Sequence, residues 1–304
     1  MRVAYLMGML LPAAIFADPP CRNCHPREAH ESAQSAHAHA LEAAPQSAFF
    51  RSLPGGPIGE ARGGFLFTYQ KDGGDVRVTA QRGSEAASAE IEWVFGAGRR
   101  AQTPVVRHGA MYLEHRISYY SAGGRFDLTM GHTRGISFSA GQALGQRQTE
   151  KVIRRCFGCH STGGMPEESS FAPGISCERC HQGAGEHAKR GGGPVGNPAH
   201  FSAQDLVKFC AACHRDEPEG DPNDAINVRY QPVRLRRSKC FRLGHVSCLT
   251  CHDPHSDAPR DVGWYRTRCL ECHADQKDRG DCLACHMPKV SPVPRMTFTD
   301  HYIR

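Results

Sequence analysis

The pattern Cys-x-x-Cys-His occurs seven times in this 304-residue chain, and six of the seven fall between residues 156 and 286. The six are Cys156-Phe-Gly-Cys159-His160, Cys177-Glu-Arg-Cys180-His181, Cys210-Ala-Ala-Cys213-His214, Cys248-Leu-Thr-Cys251-His252, Cys269-Leu-Glu-Cys272-His273 and Cys282-Leu-Ala-Cys285-His286. The other, Cys21-Arg-Asn-Cys24-His25, stands alone near the start. Chance alone would give about 0.04 matches in a chain of this composition, so the repeat is not an accident.

The spacing has a chemical reason. In c-type haem attachment two thiols bond to the two vinyl groups along one porphyrin edge, and the histidine that follows ligates the iron. A closed zinc site also uses paired cysteines, but it needs no histidine after every second thiol, and a disulfide framework needs none either. Seven covalently attached haems c are therefore expected. Their thioethers would come from Cys21, Cys24, Cys156, Cys159, Cys177, Cys180, Cys210, Cys213, Cys248, Cys251, Cys269, Cys272, Cys282 and Cys285. The proximal ligands would be His25, His160, His181, His214, His252, His273 and His286. Of the 15 cysteines only Cys240 is left over.

The chain opens with Arg2, an apolar run over residues 3–16, and the small Ala17 before Asp18-Pro19-Pro20. This reads as a signal peptide over residues 1–17, since the run is short and is broken by Gly8 and Pro12. The expected location is periplasmic or extracellular, where haem is joined to thiols. Composition alone suggests loose packing, with 32 Gly and 20 Pro against 39% hydrophobic residues. Buried porphyrins resolve that conflict by supplying apolar faces that side chains would otherwise provide.

The formal net charge of +6 does not point to nucleic acid, because no basic patch is interleaved with aromatic residues. Arg154-Arg155, Lys189-Arg190 and the basic stretch 234–239 are expected either to pair with haem propionates or to be solvated. The expected partners are redox proteins, donor and acceptor, with association with a membrane redox complex or self-assembly left open.

Residues 47–150 carry no such motif. The segment 64–80 reads as two strands around Asp72-Gly73-Gly74, and residues 91–95, 105–108, 111–120 and 126–130 continue as short β segments. The expected fold is that of a multihaem cytochrome c, mostly irregular loops and short α-helices packed around haems, with a small antiparallel β subdomain after the first haem. Its parts would be the leader, a first haem segment at 18–46, the β-rich insert at 47–150 and a six-haem region at 151–304.

Seven proximal ligands leave 11 of the 18 histidines for the opposite faces of the irons. His37 or His39 follows the first motif in a helix-friendly context, His115 and His132 sit in the β-rich insert, and His187 follows the third motif closely. His255 stands three residues after His252, too close to reach the far face of the same iron, so a neighbouring haem is its expected target. Met165 and Met287 read as packing rather than ligation.

The arrangement from Cys24-His25-Pro26-Arg27-Glu28 to Ser35-Ala36-His37 resembles the opening of cytochrome c-554-type multihaem proteins, and that resemblance favours His37 over His39. Phe95-Gly-Ala-Gly98, Tyr112-Leu-Glu-His115, Gly174-Ile-Ser-Cys177, Cys248-Leu-Thr-Cys-His-Asp-Pro-His255 and Thr299-Asp-His-Tyr-Ile-Arg304 are similar to a subgroup of exported bacterial multihaem cytochromes. Members of that subgroup are often fused to tetratricopeptide repeats, absent from this chain. The resemblance implies electron transfer and distal roles for His115, His187, His255 and His301. Two functions stay in view. One is a carrier built of closely packed, mostly bis-His haems. The other is an oxidoreductase acting on a small nitrogen or sulfur compound at one five-coordinate haem, with Cys240 as a candidate catalytic group.

Overall fold

The computed structural model describes residues 21–60, 64–72, 75–109, 111–276 and 280–304, so the expected leader at 1–17 lies outside it. The first motif sits on a single helical turn, Cys21–Cys24, and is followed by the helix Pro26–Gln34. The chain then enters a ten-stranded antiparallel sheet. Its strands are β1 (Leu41–Ala43), β2 (Ile58–Gly59), β3 (Leu66–Asp72), β4 (Asp75–Arg82), β5 (Glu85–Phe95), β6 (Ala101–His108), β7 (Met111–His115), β8 (Ile117–Tyr120), β9 (Arg125–Leu128) and β10 (Gly145–Arg147). The main order is β10-β7-β6-β5-β4-β3-β2, with β1 on β5, β8 on β6 and β9 on β8.

Alternation explains why these segments are strands. Along β4, Val76, Val78 and Ala80 are buried while Arg77 faces out, and Phe65 and Phe67 place their rings on the same side. In all, 16 buried residues form this core, closed by Phe49 and by Ala140, Ala143 and Leu144 of a short helix. A register shift between Ile91 and Trp93 on β5 changes which face the side chains meet. Ile91 and Val94 stay in the sheet's own core, whereas Trp93 and Phe95 turn to a second cluster containing Leu41, Val105, Ile153 and Phe157. The shift lets one strand pack against the helix Glu150–His160, which carries the second motif.

The β unit is thus larger than the small subdomain expected from sequence, and the description as mostly loops and short helices is corrected accordingly. The missed strands, β1, β2 and β10, are two or three residues long and carry no alternation of their own. They pair because the long neighbours β3, β5 and β7 present unpaired backbone groups at fixed register. Beyond residue 160 the chain is short helices and loops with two two-stranded sheets, β11 (Ser161–Thr162) with β12 (Ala172–Pro173) and β13 (Lys289–Val293) with β14 (Met296–Thr299), and among the described residues its own apolar cluster holds three buried residues, Val207, Leu235 and Phe241. Side chains alone give that half little apolar core, as expected of a region built around prosthetic groups.

His115 lies wholly inside the sheet unit. Its Nδ1 is 2.6 Å from the Leu144 carbonyl and its Nε2 is 2.8 Å from the Tyr69 hydroxyl, with Phe49 and Phe67 against the ring. Burial pushes its pKa down to about 4. Its unfolded value is about 6.5, so the unfolded chain binds the extra proton between those two values, and stability falls as pH drops through that window. Urea melts of the holoprotein at pH 7 and pH 5 should show this loss. His115→Gln should be less stable at pH 7, by about 1–3 kcal/mol, and less pH-dependent.

Candidate haem sites

Each motif places its two cysteines one helical turn apart, which sets both sulfurs on one face. Four of the motif helices start at a side-chain cap that fixes their first turn. Thr149 accepts from the Val152 N–H, Ser202 from Asp205, Asp261 from Gly263, and Asp281 from Leu283 and Ala284. No disulfide joins any of the 15 cysteines, and no group of three or more His, Cys, Asp or Glu among the described residues lies close enough to hold a metal ion.

Four motif histidines face a second histidine. Ring centroids are 6.5 Å apart for His25 and His187, 6.0 Å for His214 and His37, 6.2 Å for His181 and His255, and 6.2 Å for His252 and His301. Two imidazoles bonded to one iron from opposite sides, at metal–nitrogen distances of about 2 Å, have centroids roughly 6 Å apart. The ring planes meet at 35°, 79°, 2° and 38° respectively.

Most of these rings also have the tautomer that ligation through Nε2 requires. The Nδ1 of His37 lies 3.2 Å from the Pro254 carbonyl, that of His181 3.0 Å from Gly196, that of His187 2.9 Å from Gly193 and that of His301 3.0 Å from Thr299. A carbonyl only accepts, so Nδ1 carries the proton and Nε2 keeps its lone pair. The Nδ1 of His255 donates to the Asp253 carboxylate at 2.9 Å. The Nδ1 of His252 is buried and has no hydrogen-bond partner among the described residues. Burial lowers the pKa of His160, His214 and His252 and takes His301 down to about 4, which favours the neutral ring that binds metal. The thiol pairs, the spacing of the rings and their tautomers all fit haem c.

Several sequence expectations do not meet a motif histidine. His115 has both ring nitrogens occupied in the sheet core, and His132 donates its Nε2 toward Glu114 at 3.1 Å; neither ring faces a motif histidine among the described residues. His37 is brought not to His25, the motif just before it, but to His214. His39 is held by Glu42 and the Ala33 carbonyl. His160, His273 and His286 have no facing histidine among the described residues; the Nδ1 of His160 is 2.8 Å from the Ala40 carbonyl and that of His286 2.5 Å from the Arg304 carbonyl. Cys240 is half-buried, within electrostatic reach of Cys251 and Cys269, between the fifth and sixth motifs. The basic stretches pair with carboxylates of the chain itself: Arg154 with Glu150, Lys189 with Glu186, and Arg234 with Asp300.

Cysteines of different motifs come within electrostatic range of one another: Cys159 and Cys213, Cys210 and Cys248, and Cys269 and Cys282. The Cys159 Sγ is also 3.7 Å from the Ala212 carbonyl. Arg179 of the third motif reaches the Gly158 carbonyl at 2.8 Å and the Cys213 Sγ at 4.0 Å, so the second, third and fourth motifs meet at one point. The missing signal in the sequence is this convergence, which depends on tertiary contacts between residues far apart in the chain.

Among solved structures, the outer cell wall cytochrome OcwA superposes with a TM-score of 0.55 at 15% identity, covering 95% of this chain and 79% of that one. The fold is that of a multihaem cytochrome. The dissimilatory sulfite reductase MccA of Wolinella succinogenes is 24% identical over 174 residues, covering 40% of this chain; the match spans 23% of that relative's length. No family model matches the chain.

The last of the opposed histidine pairs lies beside a buried ion pair. Arg234 grips Asp300 through two hydrogen bonds of 2.8 and 2.6 Å, with both side chains almost wholly buried, and Asp300 immediately precedes His301. The Asp300 N–H also donates to the Pro288 carbonyl, and the Ile303 N–H donates to Ser238. Arg234→Met strands a buried carboxylate and should cost about 3 kcal/mol, the low end of the usual range because Arg304 keeps a 3.0 Å contact with Asp300. Urea unfolding of the holoprotein measures that cost.

Proposed function

We propose that this chain is a seven-haem c-type cytochrome that carries electrons outside the cytoplasm along closely spaced, mostly bis-His haems. The observation that carries the reading is the set of four opposed imidazole pairs at 6.0–6.5 Å, each joining a motif histidine to one from elsewhere in the chain. When bound, each haem supplies a one-electron Fe(III)/Fe(II) couple. The chain's part is to fix each porphyrin edge through two sulfurs, to hold neutral imidazoles on both axial sides, and to bring the attachment points together.

The contacts between motifs suggest the route. His187 follows the third motif and faces His25 of the first, and the thiol contacts then run from the fourth motif to the fifth and from the sixth to the seventh. Cys251 and Cys269 link the fifth to the sixth, and the second joins at the fourth through Cys159 and Cys213. On this reading the route forks at the site of His214. Redox proteins would serve as donor and acceptor at its ends. An extracellular setting is in keeping with the outer cell wall location in the name of OcwA. Among the described residues no helix is long and apolar enough to cross a membrane.

A second reading has one specific support, the similarity to a dissimilatory sulfite reductase. Here one of the sites of His160, His273 or His286, which lack a facing histidine among the described residues, would keep an open iron for a small sulfur or nitrogen oxyanion. Cys240 lies beside the route near Cys251 and Cys269.

Intact mass of the matured protein should exceed the apo-chain by seven haem groups. Electron paramagnetic resonance of the oxidised form gives the ligand geometry, because parallel axial rings lift the near-degeneracy of two iron d orbitals and perpendicular rings preserve it. The 2° pair should therefore give a rhombic low-spin signal and the 79° pair a highly anisotropic one. Absence of both would sink the ligation scheme. Reoxidation of the reduced protein by sulfite, nitrite or hydroxylamine, with a high-spin signal that responds to them, would favour the enzyme reading over the carrier.

A further inference from the structure

The four residues His252-Asp253-Pro254-His255 reach three sites at once. His252 faces His301, the Pro254 carbonyl lies 3.2 Å from the Nδ1 of His37, whose ring faces His214, and His255 faces His181. Within this segment one acceptor differs in kind from the rest. The ring N–H groups of His37, His181, His187 and His301 go to neutral backbone carbonyls, whereas that of His255 goes to the Asp253 carboxylate at 2.9 Å. No other ring of the four opposed pairs has a carboxylate partner among the described residues.

The same carboxylate oxygen also accepts the backbone N–H of His255 at 2.9 Å. One atom thus holds both the main chain and the ring, and Pro254 between them restricts the backbone further. The consequence is visible in the rings: the planes of His181 and His255 differ by only 2°. An anionic acceptor draws the imidazole proton toward itself, gives the ring imidazolate character and strengthens its donation to a ferric iron. Stronger donation favours Fe(III) over Fe(II) and lowers the reduction potential.

We propose that Asp253 is a positioning residue that orients His255 and makes the site shared by His181 and His255 the lowest in potential of the four opposed pairs. The proposal rests on the bis-His reading above. Asp253 acts only through the ring it holds. Glu28 supplies the internal comparison, since it interacts electrostatically with His255 but makes no hydrogen bond to it. A through-space charge effect would appear in both variants, weaker for the more distant Glu28, whereas a change of ring orientation belongs to the hydrogen-bonded Asp253 alone.

The test is a redox titration of the holoprotein followed by electron paramagnetic resonance, using the low-spin signal of greatest rhombicity, expected of the most nearly parallel rings, to report this one site. In wild type that signal should have the lowest midpoint of the low-spin set. Asp253→Asn should shift it upward while the other signals stay in place, and Glu28→Gln should shift it markedly less. Asp253→Ala, with no acceptor left, should also change the anisotropy of the signal as the ring turns. Unchanged midpoint and anisotropy in both Asp253 variants, or equal shifts from Glu28→Gln and Asp253→Asn, would overturn the proposal. A wild-type protein with no rhombic low-spin signal would instead bring down the ligation scheme itself, and the two failures are told apart in the unmutated protein.

Discussion

Four pairs of imidazoles held ring to ring at 6.0–6.5 Å are an arrangement that hydrogen bonding between them does not explain, because two neutral rings that both donate through Nδ1 have no proton left to share. On the proposed ligation a metal between them would be held by two coordination bonds, and the C-terminal half would be arranged around this constraint. Among the described residues that half has a three-residue apolar cluster of its own, so on the proposed reading the order of its loops would rest on helix caps, ligation and thioether links more than on side-chain packing.

The sheet has a different role. Its 16-residue core is self-sufficient, and the register shift on β5 lets one strand serve that core and the helix of the second motif together. Phe157, fully buried on that helix, meets Phe95, Tyr112 and Phe171 edge to face, so the second motif is mounted on the sheet. From there the Ala40 carbonyl, at the start of β1, accepts the Nδ1 of His160. Beside it Gly174 runs so close that a Cβ would lie 1.9 Å from the Ala38 carbonyl oxygen, and its φ is +75°. That close approach lets the Ile175 N–H bond the His37 carbonyl and holds the segment leading to His37 in place.

What could be read from the sequence follows the range of the interaction concerned. The Cys-x-x-Cys-His motifs are local, and the structure places each pair of cysteines one helical turn apart. Alternation in Phe67, Val76, Val78 and Ala80 is also local, and it revealed β3 and β4. The bridging reach of His255 followed from simple spacing, because three residues are too few to double back over one iron. By contrast, His115 and His132 were chosen as distal candidates because the chain has irons to fill. In the fold the first serves a Tyr69–Leu144 hydrogen-bond bridge and the second a hydrogen bond to Glu114. Nothing in the neighbouring sequence separates a histidine bound for a sheet core from one bound for a metal, since the difference lies in partners 29 and 46 residues away.

The same logic explains why His37 meets the fourth motif rather than the first. The helix Pro26–Gln34 leads away from His25 and ends at Ser35, after which the chain is captured by residues distant in sequence: Asp257 accepts the Ala36 N–H at 2.6 Å and Pro254 accepts from the His37 ring. Two parts of the chain more than 200 residues apart therefore set one imidazole between them. On the proposed ligation most axial pairs are completed by such distant partners, so no single haem site can form before its neighbours. A chain organised in this way gains order as a network, with each porphyrin both a cofactor and a packing element for the next.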